Sequence, residues 1–446
     1  MNPVAVTGAV RGLGPVDRFK IAAPPVTFGM PPAGAAFGAL RHRNFRIFLL
    51  GQFISLTGSW MQNVALGWLA LVLSNSPLQV GLVVTFGALP VLLFTLYGGV
   101  VADRVNRRRA LLVLQSLLLL EALALGFLTA FGAITIPLVY GLAALAGIVS
   151  AFEIPIRQSW QVELVGKPDL MNAIALNSTA FNLSRVAGPA IAGVLIATLG
   201  TAVCFFLNAA SFLAVLIGLI LIRPDPALAG QGTVRRARLR EGVAHVFGRP
   251  WPRALVSLTA VLSVFGASFI AILPVYARDV IRAGAGGYGA LMSSFGLGAA
   301  AGALSVAGVG HRFRREPTAL AAALALGLAV ALLAAASHLA VALILLVAAG
   351  LSLALNAIMT NTLLQTEAPD HLRGQVMGFY SFIVVGMAPF GSFQAGWIAE
   401  HAGTPTALLI GGGLCTVVAG AIAWYMLRPR RPGLTAESNL PVEEAL

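Results

Sequence analysis

Runs such as LLVLQSLLLLEALALGFL and ALAAALALGLAVALLAAA are apolar on every face of a helix, and they recur along the whole chain. A bilayer's hydrocarbon core takes about 20 apolar residues to cross as a helix. Twelve stretches have that character: 45–73, 79–101, 110–131, 135–154, 170–197, 200–222, 254–277, 288–309, 317–336, 340–363, 375–398 and 405–427. Strands of a membrane barrel would alternate apolar and polar residues, which these do not, so every span is read as a helix. Composition agrees. With 58% hydrophobic and 10% charged residues and a mean hydropathy of +0.88, the chain lacks the polar surface to coat a water-soluble globule.

The net charge of +13 would suit a nucleic-acid partner if it were gathered on one soluble face. It is instead ordered along the chain. With a cytoplasmic N-terminus and spans of alternating direction, every Lys and Arg falls on the cytoplasmic side except Arg185, inside a span, and Arg278 and Arg282. That asymmetry is the positive-inside pattern, so the basic balance is read as topology: the partner is the lipid bilayer, not nucleic acid. Both termini are then cytoplasmic. Residues 1–40, rich in Gly, Pro and Ala and without an apolar core or cleavage site, read as a disordered tail, not a signal peptide. Residues 428–446 read as a second cytoplasmic tail. The segment 223–253 contains RRARLREGVAHVFGRPWPR, whose arginines alternate with apolar residues, and predicts a short amphipathic helix on the anionic leaflet.

That segment separates residues 41–222 from 254–427, six spans each. The halves echo one another. Pro168 and Asp169 precede span five, with Gly188 and Pro189 inside it; Pro369 and Asp370 precede span eleven, with Ala388 and Pro389 inside it. GGVVADRVNRRR after span two has a counterpart in GVGHRFRRE after span eight, where His311 stands in for Asp103. Duplicated halves are common in secondary transporters, with substrate held near the midplane between them.

GGVVADRVNRRRAL resembles the loop signature between spans two and three of the major facilitator superfamily. Gly99, Asp103, Arg104, Arg107 and Arg108 fall in its glycine, aspartate and basic positions, and Asn106 replaces its second glycine. IPIRQSWQVELVGKPDLMNAIALNSTAFNLSRVAGPAIAGVL, with PDHLRGQVMGFYSF and APFGSFQAG, resembles the bacterial branch that includes the enterobactin exporter and macrolide efflux pumps. The likeness covers about residues 38 to 427. SRVAGPAIAG is similar to the span-five motif of drug:proton antiporters through Gly188, Pro189 and Gly193, with Ser184 and Ala192 where glycines are usual.

The resemblance implies an all-α membrane protein of twelve helices in two pseudo-symmetric halves, in the bacterial inner membrane. It further implies export of a small organic molecule (drug, siderophore or other amphiphile) against proton entry by alternating access, with no cofactor. A chain that encloses its own pathway is expected to act as a monomer. The resemblance also implies a gate, in which Asp103 meets the N-terminal amides of span eleven near Arg373 and Gly374 and closes the cytoplasmic side. Gly99 would let the halves approach there, and Arg104 or Arg107 would bind neighbouring carboxylates. Because spans one, four, seven and ten line the cavity in that superfamily, Gln62, Asn63 and Asn356 are candidate substrate contacts.

Ionisable residues inside a bilayer are costly and mark function. Glu121, well inside span three, is the acidic residue nearest the bilayer centre and the first candidate to carry a coupling proton; Arg185 lies as deep in span five. Glu153 and Arg157 are one turn apart near the cytoplasmic end of span four, further coupling candidates or, if the helix survives Pro155, a structural ion pair. Gly188, Ala192 and Gly193 give span five a small-residue face and Gly298 with Gly302 gives span eight another, a seam at which two backbones approach. GAGGYG, residues 284–289, matches a dinucleotide pattern but has no strand before it, and reads as a flexible external turn. VGKPD lacks the Walker glycines. No histidine lies deep in a span or has ligand spacing with Cys or carboxylates, so no metal is expected. The alternatives are an uptake carrier or lipid flippase of the same fold and, from another class, a polytopic enzyme, which would need a clustered His, Asp or Ser constellation that the sequence does not offer.

Overall fold

The computed structural model describes residues 38–223, 239–369 and 371–427. Expectations for the tails, for residues 224–238 and for Asp370 lie outside the described residues. Among those described, twelve helices are long and apolar enough to cross a membrane, and there is no strand. Spans one to six are Arg43–Ser74, Pro77–Ala102, Arg107–Ala130, Ile136–Gly166, Pro168–Leu199 and Thr201–Leu221. Spans seven to twelve are Pro250–Val280, Gly284–Val309, Arg315–Leu333, Leu339–Glu367, Arg373–Ala402 and Thr404–Leu427. Their alternation gathers Arg104, Arg107–Arg109, Arg312–Arg315 and Arg373 at one face, called the arginine-rich face, and leaves the other as the far face.

Turns at the far face are very short. Gly200 (φ 86°) alone joins spans five and six, and Gly403 (φ 89°) alone joins eleven and twelve, conformations that glycine adopts without a Cβ penalty. Asn75 and Ser76 join spans one and two. Asn75 takes the left-handed region and its N–H returns to Leu71 O, while the Ser76 hydroxyl caps span two by accepting from Gln79 N. At the arginine-rich face, Asn106 Oδ1 accepts from Arg109 N at 3.0 Å and caps span three. Its φ of −68° explains why a glycine is not needed in the loop signature. Spans four and five meet at Gly166, whose φ of 72° and ψ of 174° turn the chain without a loop.

Span four therefore runs well past the expected end at residue 154 and continues through Pro155. Its extension is held by Ile156, Trp160, Leu164 and Val165, which pack with Phe45, Phe48 and Leu219. Span seven carries two wide π turns, Leu262–Gly266 and Tyr276–Val280, that no apolar pattern announces. Span eleven is interrupted at Met387, before Ala388 and Pro389.

Within the first half, span one packs on six, two on four and three on six; within the second, eight packs on ten and nine on ten and twelve. Across the halves, span five meets eight and span two meets eleven. The amphipathic helix, Leu239–Gly248, lies against the start of span eleven: Val246 is buried with Val376, Tyr380 and Ile383, and Phe247 faces Phe379 at 6.1 Å.

Candidate functional site

A cavity of about 390 Å³ opens where spans one to four meet seven and eight. Leu66, Val83, Val84 and Met292 make its walls apolar, Trp60 and Tyr288 add aromatic faces, and Gln62, Asn63, Glu121 and Ser150 form a polar patch. The patch is organised around Glu121, which is 3% exposed. Gln62 Nε2 donates to both carboxylate oxygens, at 3.2 and 3.0 Å. Behind it, Asn208 Nδ2 donates to Gln62 Oε1 at 2.7 Å and Ser211 Oγ donates to Asn208 Oδ1 at 2.9 Å. The chain of bonds from span six thus fixes which end of the Gln62 amide faces Glu121. No cation pairs with Glu121 among the described residues. Asn63 is exposed on the cavity wall.

Asn208 and Ser211 escaped the sequence reading, although an amide and a hydroxyl three apart in an apolar span share one helix face. Asn356 is a correction. It is buried between spans nine and ten, where its Nδ2 donates to Ala319 O at 2.9 Å, and it does not line the cavity. Glu153 and Arg157 make the i,i+4 ion pair at 2.8 Å, with Gln115 Nε2 of span three also donating to Glu153 Oε1 at 3.2 Å. Because span four is longer than the sequence implied, this pair lies deeper than its expected position at the helix end. Arg185 sits between rings, its guanidinium carbon 4.6 Å from the Phe295 centroid and 5.6 Å from that of Trp60. Its Nε is buried without a hydrogen-bond partner.

The small-residue seam is real and uses Gly193 as expected, but on span eight it uses different glycines. A Cβ on Gly193 would come within 2.9 Å of Gly289 Cα, and one on Gly289 within 2.7 Å of Pro189 O. A Cβ on Gly296 would meet Arg185 O at 2.7 Å. Gly188 faces span one instead, where an added Cβ would come within 2.7 Å of Thr57 O, and Gly298 and Gly302 face Leu351 of span ten. GAGGYG is consequently not a flexible turn: it forms the first turns of span eight, and its last glycine is required by a neighbouring backbone. Spans two and eleven close the far face in the same way: a Cβ added to Gly81 would come within 3.1 Å of Gly396 Cα, and one added to Gly396 within 3.2 Å of Gly81 Cα.

At the arginine-rich face the halves stand apart. Added Cβ atoms on Gly99 and Gly374 would meet nothing within 4 Å, and Asp103 and Arg104 are exposed. The structure does not bring Asp103 to Arg373 and Gly374. Arg107 pairs with Glu163 of span four, and Arg108 donates to Leu219 O and Ile220 O at 2.7 and 2.9 Å, so both bracket the loop to its own half. Arg373 Nε donates to Gln365 O at 3.1 Å, inside the other half.

Two six-span halves around a cavity, drawn together at one face and parted at the other, have the form of a membrane transporter. The chain belongs to the transmembrane secretion effector family of the major facilitator superfamily, whose family model matches residues 34–444. It is 29% identical to the multidrug efflux pump Tap of Mycolicibacterium fortuitum, over 87% of this chain and 98% of that one. It is 25% identical to the enterobactin exporter EntS of Escherichia coli O127:H6 (strain E2348/69 / EPEC), over 89% and 96% of the two chains. The solved nucleoside transporter NupG shares the fold, with a TM-score of 0.73 at 12% identity over 87% of this chain and all of that one. The protein is thus a multi-pass bacterial membrane transporter and not an enzyme.

Proposed function

We propose that this transporter exports small amphiphilic organic molecules across the bacterial inner membrane in exchange for protons. The observation that carries the reading is the Glu121–Gln62–Asn208 chain on the wall of an otherwise apolar cavity. Glu121 is the carboxyl group on that wall, so substrate and proton can compete there for one site; the Gln62 amide steadies the ionised form without supplying a fixed positive charge. Aromatic and aliphatic walls with Gln62 and Asn63 suit a drug-like or siderophore-like amphiphile, in keeping with the efflux pump and exporter among the relatives.

The positive-inside pattern assigns the arginine-rich face and both tails to the cytoplasm. The face at which Gly99 and Gly374 stand clear of their surroundings is then the side from which an exporter loads. In the opposite state, Asp103 meets the amides of span eleven around Arg373 and Gly374, Gly99 admits the close approach, and the halves 41–222 and 254–427 rock about the cavity as units linked by 223–253. One chain encloses one pathway, so the working unit is the monomer.

The test is transport of ethidium by the full chain in liposomes, with and without a pH gradient. Wild-type protein should accumulate the dye against its gradient when protons flow the other way. Glu121→Gln should lose gradient-driven accumulation by about tenfold or more and still exchange labelled for unlabelled dye. A variant that responds to the gradient as wild type does would remove Glu121 from coupling, and an unresponsive wild type would remove proton coupling altogether.

A further inference from the structure

Spans two and eleven run antiparallel across the interface, so the C-terminal end of each lies beside the N-terminal end of the other. Each ends in a carboxylate. Asp103 follows span two at the arginine-rich face, and Glu400 occupies the last turn of span eleven at the far face. Glu400 is engaged: Ser76 Oγ donates to its Oε2 at 2.7 Å, and the amide of Leu78 in the first turn of span two donates to the same oxygen at 3.2 Å. Ser76 therefore works twice, since its hydroxyl also accepts from Gln79 N at 3.2 Å as the cap of span two. No cation pairs with Glu400 among the described residues, and its neighbour His401 is turned back onto Trp397, to whose carbonyl its Nδ1 bonds at 2.8 Å. What holds the carboxylate is thus the positive end of a helix belonging to the other half. Directly beneath, Gly396 and Gly81 bring the two backbones together, which puts the carboxylate at the lip of the seal.

We infer that Glu400 is the outer latch of the transporter and that Asp103 is its reciprocal partner at the inner end, so that one turnover breaks one carboxylate–helix contact as it makes the other. The inference rests on the alternating-access reading above. It adds a residue, Glu400, and a rule: the two contacts belong to opposite states, and the balance between them sets which face is open at rest. A carboxylate at one end alone would only favour closure there. With one at each end of the same helix pair, the energy released at one lip offsets what is lost at the other, and neither state becomes a trap.

The test uses the full chain in lipid nanodiscs with Cys204 and Cys415 replaced and spin labels in pairs, at Phe131 and His338 across the far face and at Arg109 and Arg315 across the arginine-rich face. Glu400→Gln should shift the ratio of far-face-open to far-face-closed molecules upward on the order of tenfold, lengthening the first distance and shortening the second together. Ser76→Asp should do the same, because aspartate keeps the cap of span two and sets a like charge against Glu400. This second variant decides the matter should Glu400→Gln fold poorly. Asp103→Asn should shift the ratio the other way, and the double variant should return towards wild type. If Glu400→Gln and Ser76→Asp leave both distances unchanged while Asp103→Asn moves them, the outer latch is wrong and alternating access stands. If no variant and no change of bulk pH moves either distance, the two-state reading fails and the latch with it.

Discussion

An amide placed between two partners of opposite demand can face only one way. Gln62 is in that position: its oxygen is taken by Asn208 and its nitrogen is thereby turned to Glu121. Losing Asn208 would not touch the carboxylate, yet it would let the Gln62 amide rotate and present its oxygen to Glu121. Removing a partner from a buried hydrogen-bonded group costs on the order of 1–3 kcal/mol. Asn208→Ala is therefore expected to slow gradient-driven transport by roughly fivefold or more with normal protein abundance, and Asn208→Asp, which keeps an acceptor but loses the donor, should not restore it. Initial rates in liposomes check both. How much of this was legible beforehand follows from the chemistry of each residue. A lone Glu in an apolar span stands out by its cost, so Glu121 was found. Asn208 and Glu400 were not, because each takes its meaning from a partner distant in the chain, Gln62 for the one and Ser76 for the other. Asn356 was misplaced since an amide in span ten reads alike whether it faces a cavity or, as here, a carbonyl of span nine.

At the scale of helices, glycine positions divide into those that admit a neighbour from the other half and those that admit one from the same half. Gly289 is of the first kind, against Pro189 and Gly193, and Gly298 of the second, against Leu351. The sequence shows only that small residues recur, and a recurring glycine has no direction; hence span eight's seam was assigned to Gly298 and Gly302 when Gly289 and Gly296 carry it. The distinction has an expected consequence. Gly289→Ala should push spans five and eight apart and expose the far side, making a cysteine at Ala192 or Ile196, both buried beside span eight, more reactive to an impermeant reagent while the protein stays folded. Gly298→Ala should instead loosen span eight from span ten and lower thermal stability, by about 1–3 kcal/mol if it behaves as an overpacked site. Gly286→Ala, with nothing within 4 Å, should do neither. Reagent accessibility and a melting curve on the three variants separate the cases.

For the molecule as a whole, the twelve spans followed from the apolar runs and their division into two halves from the repeat, since crossing a bilayer leaves the backbone little choice but helix. What the runs left out was shape along each helix, namely the extension of span four to Gly166 and the wide turns of span seven. Orientation is the remaining whole-molecule property with a direct check. A cysteine in place of His401, exposed at the far face, should react with an impermeant maleimide added to intact cells, and one in place of Arg249 should react only after the membrane is opened. Cys204 and Cys415 are buried and leave a low background. The reverse labelling pattern would turn the molecule over and make the open end face outward.

The brevity of the far-face turns, down to a single residue at Gly200 and at Gly403, has a consequence for anything that must grip the protein from outside. An antibody, a phage or an accessory subunit needs protruding chain to hold, and among the described residues the turns on that side are at most five residues long. Animals immunised with the purified transporter should yield binders that recognise mainly the arginine-rich side and therefore fail to stain living cells.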